Sequence, residues 1–173
     1  FLLVLLVLFA PNLLGQNPVI DSLEQALTLH VDAKDTVRIK LLNELAKQYL
    51  RVNPDKTISY SNEAIQLSEK TNFKKGISLA YNNIGTVYRM KGKYAESLGF
   101  HQKALGIDNE IGDKNSQALS LNNIGNIYFV QSIYDKSLEY YFKSLSLRQE
   151  INDKNGIAIS FNNIGLVFKS QGN

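Results

Sequence analysis

The chain has 173 residues, of which 44% are hydrophobic and 20% are charged, and these are values of a folded globular protein rather than of a disordered one. The net charge is only +3, and Lys and Arg are scattered among Asp and Glu, so the basic block typical of nucleic-acid-binding proteins is missing. The absence of cysteine excludes disulfides, thiolate metal sites, iron–sulfur clusters and cysteine nucleophiles.

The N-terminal segment predicts export. Residues 1–10, FLLVLLVLFA, are continuously apolar and are followed by Pro11. Such a run is too short to span a bilayer of about 30 Å as a helix, but it has the length of the apolar part of a signal peptide. We predict a signal peptide over residues 1–15, with Gly15 before the cleavage point. The alternative is a buried core helix, which would normally carry polar residues along one side.

Residues 16–35 predict a short N-terminal capping helix, from Asp21 to Leu29, and a linker. We expect this helix to cover the apolar end of the structure that follows. Asp35 is suited to cap the next helix.

The rest of the chain is repetitive. The motif NNIG occurs at 82–85, 122–125 and 162–165, and residues 76–115 and 116–155 are identical at 16 of 40 positions. Residues 36–75 form a diverged earlier copy, and residues 156–173 begin another that stops after its first helix. The chain also begins with Phe1 rather than Met, so we expect it to be a fragment. A repeat of 20–50 residues predicts a solenoid.

Each copy contains two helical patterns and none with the period of a strand, which predicts an all-α fold. Tyr81, Ile84, Gly85 and Tyr88 follow the spacing i, i+3, i+4, i+7 of one helix face. A second helix follows the turn at Gly92. Each unit is therefore a helical hairpin, with turns into the next unit at residues 112–113 and 152–153, where Asp can cap the next helix.

A glycine within the first helix of each hairpin needs a repeated reason, because glycine costs roughly 1 kcal/mol relative to alanine there. At Gly85, Gly125 and Gly165 we predict close approach of the partner helix, with an aromatic side chain in the space. Ala46 has this role in the first copy. Small residues of the second helix should provide the matching surface: Ser97, Ala104, Ser137 and Ser144.

The pattern Tyr81-x2-Ile84-Gly85-x2-Tyr88, followed by a small residue at Ser97, resembles the tetratricopeptide repeat (TPR). The resemblance covers residues 36–173 and implies a right-handed superhelix of hairpins. The 40-residue period departs from the usual 34 and is similar to a long-repeat subclass found in bacterial sensor proteins. HEAT and armadillo repeats share the longer period but not the small–aromatic spacing. The signature positions are Ala46, Ile84, Gly85, Tyr88, Ile124, Gly125, Tyr128, Ile164, Gly165 and Phe168.

No pattern predicts a catalytic, cofactor or metal site. His101 occupies the position of Tyr141 on a core face and is expected to be a packed histidine, and His30 lies in a linker. Glu110 and Glu150 are expected to be solvated charges at equivalent helix ends. The aromatic residues have core spacing, which disfavours stacking on nucleic acid.

The paired asparagines are the candidate binding residues. In TPR proteins the first helices line a concave groove, and asparagines there hold peptide backbones through carboxamides that both donate and accept hydrogen bonds. We expect one asparagine of each pair to be structural and the other to contact ligand, with the first of each pair facing the groove. Nearby cations would favour an acidic peptide. The predicted groove residues are Asn43, Lys47, Asn82, Thr86, Arg89, Asn122, Asn126, Asn162 and Lys169.

The resemblance implies a protein- or peptide-binding scaffold, as in the exported sensor region of two-component histidine kinases, on the periplasmic side of the inner membrane. The kinase and a membrane anchor would lie outside this sequence. The alternative is a free-standing exported adaptor, and a third is a cytoplasmic regulator. No cofactor, metal or nucleic acid is expected as a partner.

Overall fold

The structure, a computed structural model, describes residues 17–31 and 36–172. The predicted signal peptide and the predicted cap at residue 35 lie outside these residues. Eight helices and no strand are present in the described part of the chain. The helices are α1 (Pro18–Leu29), α2 (Thr36–Tyr49), α3 (Pro54–Lys70), α4 (Lys74–Met90), α5 (Tyr94–Ile111), α6 (Lys114–Val130), α7 (Tyr134–Glu150) and α8 (Lys154–Ser170). The all-α prediction is confirmed.

The N-terminal helix starts earlier than expected. We predicted α1 from Asp21, but it begins at Pro18, because Asn17 caps it by accepting a hydrogen bond from the Val19 amide over 3.1 Å. Proline is favoured in the first turn, where its missing N–H is not needed. The helix packs on α2 through Ile20, which is buried against Leu45 and Tyr49. It therefore covers the first hairpin as expected.

The turns follow from local sequence. Several of the turns between helices contain one residue with positive φ, including Gly92 at 73°, Gly112 at 68° and Asn152 at 56°. Glycine and asparagine tolerate this left-handed conformation, which explains their positions. Asp113 then caps α6 by accepting from the Ser116 amide, and Asp153 caps α8 by accepting from the Gly156 amide. Both predicted caps are confirmed.

The first helices of the hairpins form one layer of the stack. Helix α4 contacts both α2 and α6, whereas the second helices α3, α5 and α7 contact one another much less within the described chain. The helices that contact one another must lie on the inner, shorter side of a curved stack. This arrangement places the repeated asparagines, which belong to the first helices, toward the inner face.

Within a hairpin, the two helices are in close contact at the glycine of the first helix. A Cβ built on Gly85 would lie 2.8 Å from the His101 ring, and one on Gly125 would lie 2.7 Å from the Tyr141 ring. The serine hydroxyls at 97 and 137 donate to the carbonyls of these glycines over 2.7 Å and 3.1 Å. The predicted close approach is confirmed at these two glycines. A Cβ on Gly165 would have no neighbour within 4 Å in the described chain, since α8 is the last described helix.

None of the helices in the described ranges combines the length and the apolar character required to cross a bilayer.

A candidate peptide-binding groove

Asn82 lies at the centre of a buried polar network between α4, α5 and α6. Its side chain is 4% exposed. Its Nδ2 donates to Ser120 Oγ over 2.9 Å, and its Oδ1 lies 2.7 Å from His101 Nδ1. Because Oδ1 can only accept, His101 Nδ1 carries the proton in this arrangement. Asn123 Nδ2 also approaches Asn82 Oδ1, at 3.4 Å. Both ends of the Asn82 carboxamide are therefore occupied by the protein.

The network continues to a buried carboxylate on α5. Ser120 Oγ donates to Asp108 Oδ2 over 2.8 Å, and Ser78 Oγ donates to Asp108 Oδ1. Asp108 is completely buried. Burial raises the pKa of this carboxyl, and the two serine hydroxyls partly offset the effect. Sequence analysis missed Asp108, because a single Asp at a position held by Arg148 in the next repeat gives no periodic signal.

His101 is a packed residue, as predicted, and is neutral. Its ring is fully buried over Gly85. Desolvation lowers the pKa of His101 to about 3, and the positive charge of Arg89 acts in the same direction. A neutral ring with the proton on Nδ1 fits the hydrogen bond to Asn82 and leaves Nε2 without a partner in the described part of the chain.

The second asparagine of each pair connects neighbouring hairpins. Asn83 Nδ2 donates to the backbone carbonyl of Asn43 over 3.1 Å, and Asn163 Nδ2 donates to Asn122 Oδ1 over 2.9 Å. These side chains are half-buried. They form a chain of amide contacts along the inner layer of helices.

The first asparagines of the complete repeats are buried. We predicted that they face the groove, and Asn82 and Asn122 are only 4% and 7% exposed. The next hairpin covers them. Asn162 is exposed because no described helix packs beyond α8. A ligand role for the asparagines stays a prediction, with structural contacts now established for Asn82 and Asn122.

Asn43, the equivalent residue of the first repeat, has different surroundings. Its Nδ2 donates to the carbonyls of Ile39 and Gly76 over 3.2 Å and 3.1 Å. Its Oδ1 is buried and has no hydrogen-bond partner within the described chain. This side chain lines a cavity of about 410 Å³ between α2, α4 and α6. Of the predicted groove residues, the structure brings Asn43, Lys47 and Asn82 together here.

The remaining predicted groove residues do not line this cavity. Thr86 Oγ1 donates to the Asn82 carbonyl over 2.9 Å, and Asn126 Oδ1 accepts from the Tyr141 hydroxyl over 2.7 Å. Both are half-buried and already hydrogen-bonded. Arg89 is half-buried near His101, and Lys169 is exposed at the end of α8. Ligand contact by these four residues stays a prediction.

Sequence analysis did not assign five of the residues that line the cavity to the groove: Lys40, Glu44, Leu79, Asn83 and Leu119. Leu79 and Leu119 precede Asn82 and Asn122 by three residues, which places them one turn away on the same helix face. This i−3 relation to NNIG is the signal that would have identified them.

Glu110 and Glu150, which were expected to be solvated charges, form ion pairs at the protein surface. Glu110 pairs with Lys74 and Glu150 pairs with Lys114, at equivalent positions in two hairpins. All four side chains are substantially exposed, so these pairs contribute little stability. No group of three or more His, Cys, Asp or Glu residues that could hold a metal ion occurs within residues 17–31 and 36–172.

The stacked hairpins, the small–aromatic contacts and the inner layer of asparagines define a TPR-type scaffold, a class that binds protein or peptide partners. The family model described as the SusR N-terminal TPR domain matches residues 16–154, so the chain belongs to this family. No curated protein matches it significantly.

Solved TPR-type structures share the fold at low sequence identity. BtubC (BKLC) from P. vanneervenii is 19% identical with a TM-score of 0.68, and the alignment covers 88% of this chain and 65% of that one. The Rap protein complexed with Competence and Sporulation Factor is 19% identical with a TM-score of 0.72, covering 87% and 46%. A putative kinesin light chain from Podosopora anserina is 12% identical with a TM-score of 0.62, covering 90% and 78%. The chain thus spans less than two thirds of the length of the first two. At these identities the likeness shows the fold.

Proposed function

We propose that the inner face of α2, α4 and α6 binds an extended peptide, and that this binding is the input of an exported signalling protein of the two-component type. The observation that carries the proposal is the cavity of about 410 Å³ among the first helices, which is lined by the asparagines Asn43, Asn82 and Asn83. An extended peptide presents backbone N–H and C=O groups, and asparagine carboxamides are suited to pair with both.

Export and the signalling role each have one supporting observation. The apolar segment at residues 1–10 has the length of the apolar part of a signal peptide. The solved Rap protein of similar fold is in complex with Competence and Sporulation Factor, which is a precedent for ligand binding by a protein of this fold. A histidine kinase following the array would then receive the signal.

Peptide binding is tested by selection from a random dodecapeptide display library on the purified domain, followed by fluorescence polarisation with the selected peptides. We expect binders with reproducible sequence features. A library that returns no specific binder to a folded domain would contradict peptide recognition.

Export and signalling need separate tests. Residues 1–31 fused to a phosphatase that folds only outside the cytoplasm should give active enzyme, and inactive enzyme would contradict export. For the full-length protein, we expect a selected peptide to change autophosphorylation. A gene that encodes no kinase after the array would instead identify a free-standing adaptor.

A further inference from the structure

The outer face of the stack, which is formed by the second helices, has a cavity that the proposed function does not use. Helices α5 and α7 contact each other little, and a cavity of about 350 Å³ lies between them over α6. Three leucines form its base, and exposed polar side chains form its rim. The leucines are Leu105, Leu121 and Leu147, and the rim includes Asn109, Lys143 and Ser146. An apolar base with a few polar groups around it is typical of a ligand-binding pocket.

In the preceding repeat, the equivalent position carries an aromatic ring. Tyr81 of α4 is the counterpart of Leu121, since one repeat of 40 residues separates them. The Tyr81 ring lies 5.9 Å from the Phe100 ring, and the Phe100 ring stacks on that of Tyr88 at 5.3 Å. The second repeat therefore contains a cluster of three rings between its two helices.

The third repeat has two of these rings and lacks the third. Tyr140 stacks on Tyr128 at 5.5 Å, which is the pair equivalent to the stacked rings of the second repeat. The third ring is replaced by the shorter side chain of Leu121. Helical side chains lean toward the N-terminus of their helix, and the cavity is also lined by Gln117, one turn before Leu121. The cavity thus lies where a ring at position 121 would lie.

A lysine lies over the rings in both repeats. Lys103 Nζ is 5.7 Å from the centroid of the Tyr81 ring and 5.4 Å from that of Phe100. Lys143, the counterpart of Lys103, is 5.2 Å from the centroid of the Tyr140 ring and also lines the cavity. An ammonium group within about 6 Å of a ring centroid is attracted by the negative face of the ring. Lys143 is therefore placed to contact a ring in the cavity as Lys103 contacts Tyr81.

The charge at the rim favours a neutral occupant. Lys143 forms an ion pair with Glu139 over 2.5 Å, so the combined charge of the two side chains is near zero. Neither an acidic nor a basic side chain gains a strong net attraction there. The exposed carboxamide of Asn109 and the hydroxyl of Ser146 both donate and accept hydrogen bonds, so they are suited to the backbone beside a bound side chain.

We propose that the cavity between α5 and α7 binds a tyrosine side chain presented by a partner protein on the outer face of the stack. The bound ring takes the place that Tyr81 has in the second repeat, covers the three leucines and lies close to Lys143. Asn109 and Ser146 hydrogen-bond to the partner's backbone on either side of the ring. This site goes beyond the proposed function, because it leaves the inner face free for a peptide.

The pocket is tested with N-acetyl-L-tyrosinamide as the probe and N-acetyl-L-leucinamide as the matched apolar control. Methyl NMR spectra of the whole chain are recorded during titration into the millimolar range. We expect the tyrosine amide to shift the methyl signals of Leu105, Leu121 and Leu147 through its ring current, and the leucine amide to leave them nearly unchanged. Equal shifts with the two amides, or no shift with either, would overturn the assignment of an aromatic pocket.

Two protein variants test the pocket from the other side. Leu121→Tyr installs the ring that the second repeat already has, so it should keep the melting temperature and abolish the shifts of Leu105 and Leu147. Lys143→Gln changes an exposed side chain and should weaken binding of the tyrosine amide at least threefold. Lys103→Gln, the same change in the second repeat, should have little effect. Equal affinities of the two lysine variants, or undiminished binding by folded Leu121→Tyr, would overturn the assignment.

Peptide display tests the protein partner and separates the outer site from the inner face. Random dodecapeptides are selected on the parent protein and then depleted on Leu121→Tyr, which removes peptides that bind the inner face. We expect the remaining peptides to contain tyrosine and to bind the parent at least tenfold more tightly than the variant. If the tyrosine amide binds but no peptide distinguishes the two proteins, the pocket takes a free small molecule and the proposed partner is overturned. Shifts of the same methyl signals on raising the protein concentration alone would overturn it in favour of a second copy of the chain.

Discussion

Asn43 and Asn82 occupy the same position of two successive repeats, yet their surroundings differ. The Asn82 carboxamide has hydrogen-bond partners on Ser120 and His101, whereas the Asn43 oxygen is buried and has no hydrogen-bond partner in the described chain. The difference arises in the neighbouring second helix, where His101 in one repeat is replaced by Ser61 in the other. The same position of the motif is therefore fully hydrogen-bonded where the neighbouring helix supplies a donor, and it keeps an unpaired oxygen where that helix does not.

The largest effect should come from the glycine of the motif. Gly125→Leu should lower the free energy of unfolding by about 3 kcal/mol or more, because a Cβ at this position would lie 2.7 Å from the Tyr141 ring. Gly165→Leu is the matched control, since a Cβ there meets nothing within 4 Å in the described chain. We expect that variant to be unchanged or more stable by about 0.5–1 kcal/mol through helix propensity. Chemical denaturation measures both, and equal destabilisation would contradict the packing role of Gly125.

The next largest loss of stability is expected at Asn82, the first asparagine of its NNIG motif. Asn82→Ala should lower stability by about 2–3 kcal/mol, because it leaves the buried His101 Nδ1–H without its acceptor. Asn162→Ala, at the exposed equivalent position, should change stability by less than about 0.5 kcal/mol. Comparing the melting temperatures of the two variants would show whether the loss of stability depends on burial of the asparagine. If both melt like the parent, the network around Asn82 has no structural role.

The pH dependence of the free energy of unfolding tests the same network, through the protonation of His101. Its pKa in the folded protein is about 3, below the ordinary 6.5. As the pH falls, this histidine is therefore protonated at a higher pH in the unfolded chain than in the folded protein. The stability contributed by neutral His101 is complete above pH 6.5 and is lost as the pH falls toward 3. Between pH 7 and pH 5 this should amount to about 2 kcal/mol.

The control for this prediction is His101→Tyr, which installs the residue found at position 141 over Gly125. Asp108 titrates in the opposite sense, because its raised pKa stabilises the protonated folded form, but it is present in both proteins. The variant should therefore lose less stability than the parent between pH 7 and pH 5. An identical pH dependence of the two proteins would show that His101 is not held neutral.

Sequence periodicity was sufficient to predict the helical hairpins, the turns and the close contact at Gly85 and Gly125, because each rests on local spacing that recurs every 40 residues. It could not predict which asparagines are buried. On one helix, Asn82 and Asn83 differ by about 100° of rotation, and the packing of the next hairpin decides which is covered. Asp108 was missed for another reason, since its position changes to Arg148 in the next repeat and therefore gives no periodic signal.

The most direct measurement compares Asn43→Ala with Asn122→Ala in both stability and affinity for one display-selected peptide. Both side chains make buried hydrogen bonds, so both variants should lose stability. Of the two, Asn43 alone lines the cavity among the first helices, so only Asn43→Ala should weaken peptide binding, by about tenfold for a lost contact of about 1.4 kcal/mol. Weaker binding by Asn122→Ala with unchanged affinity of Asn43→Ala would contradict the role of Asn43 as the binding group.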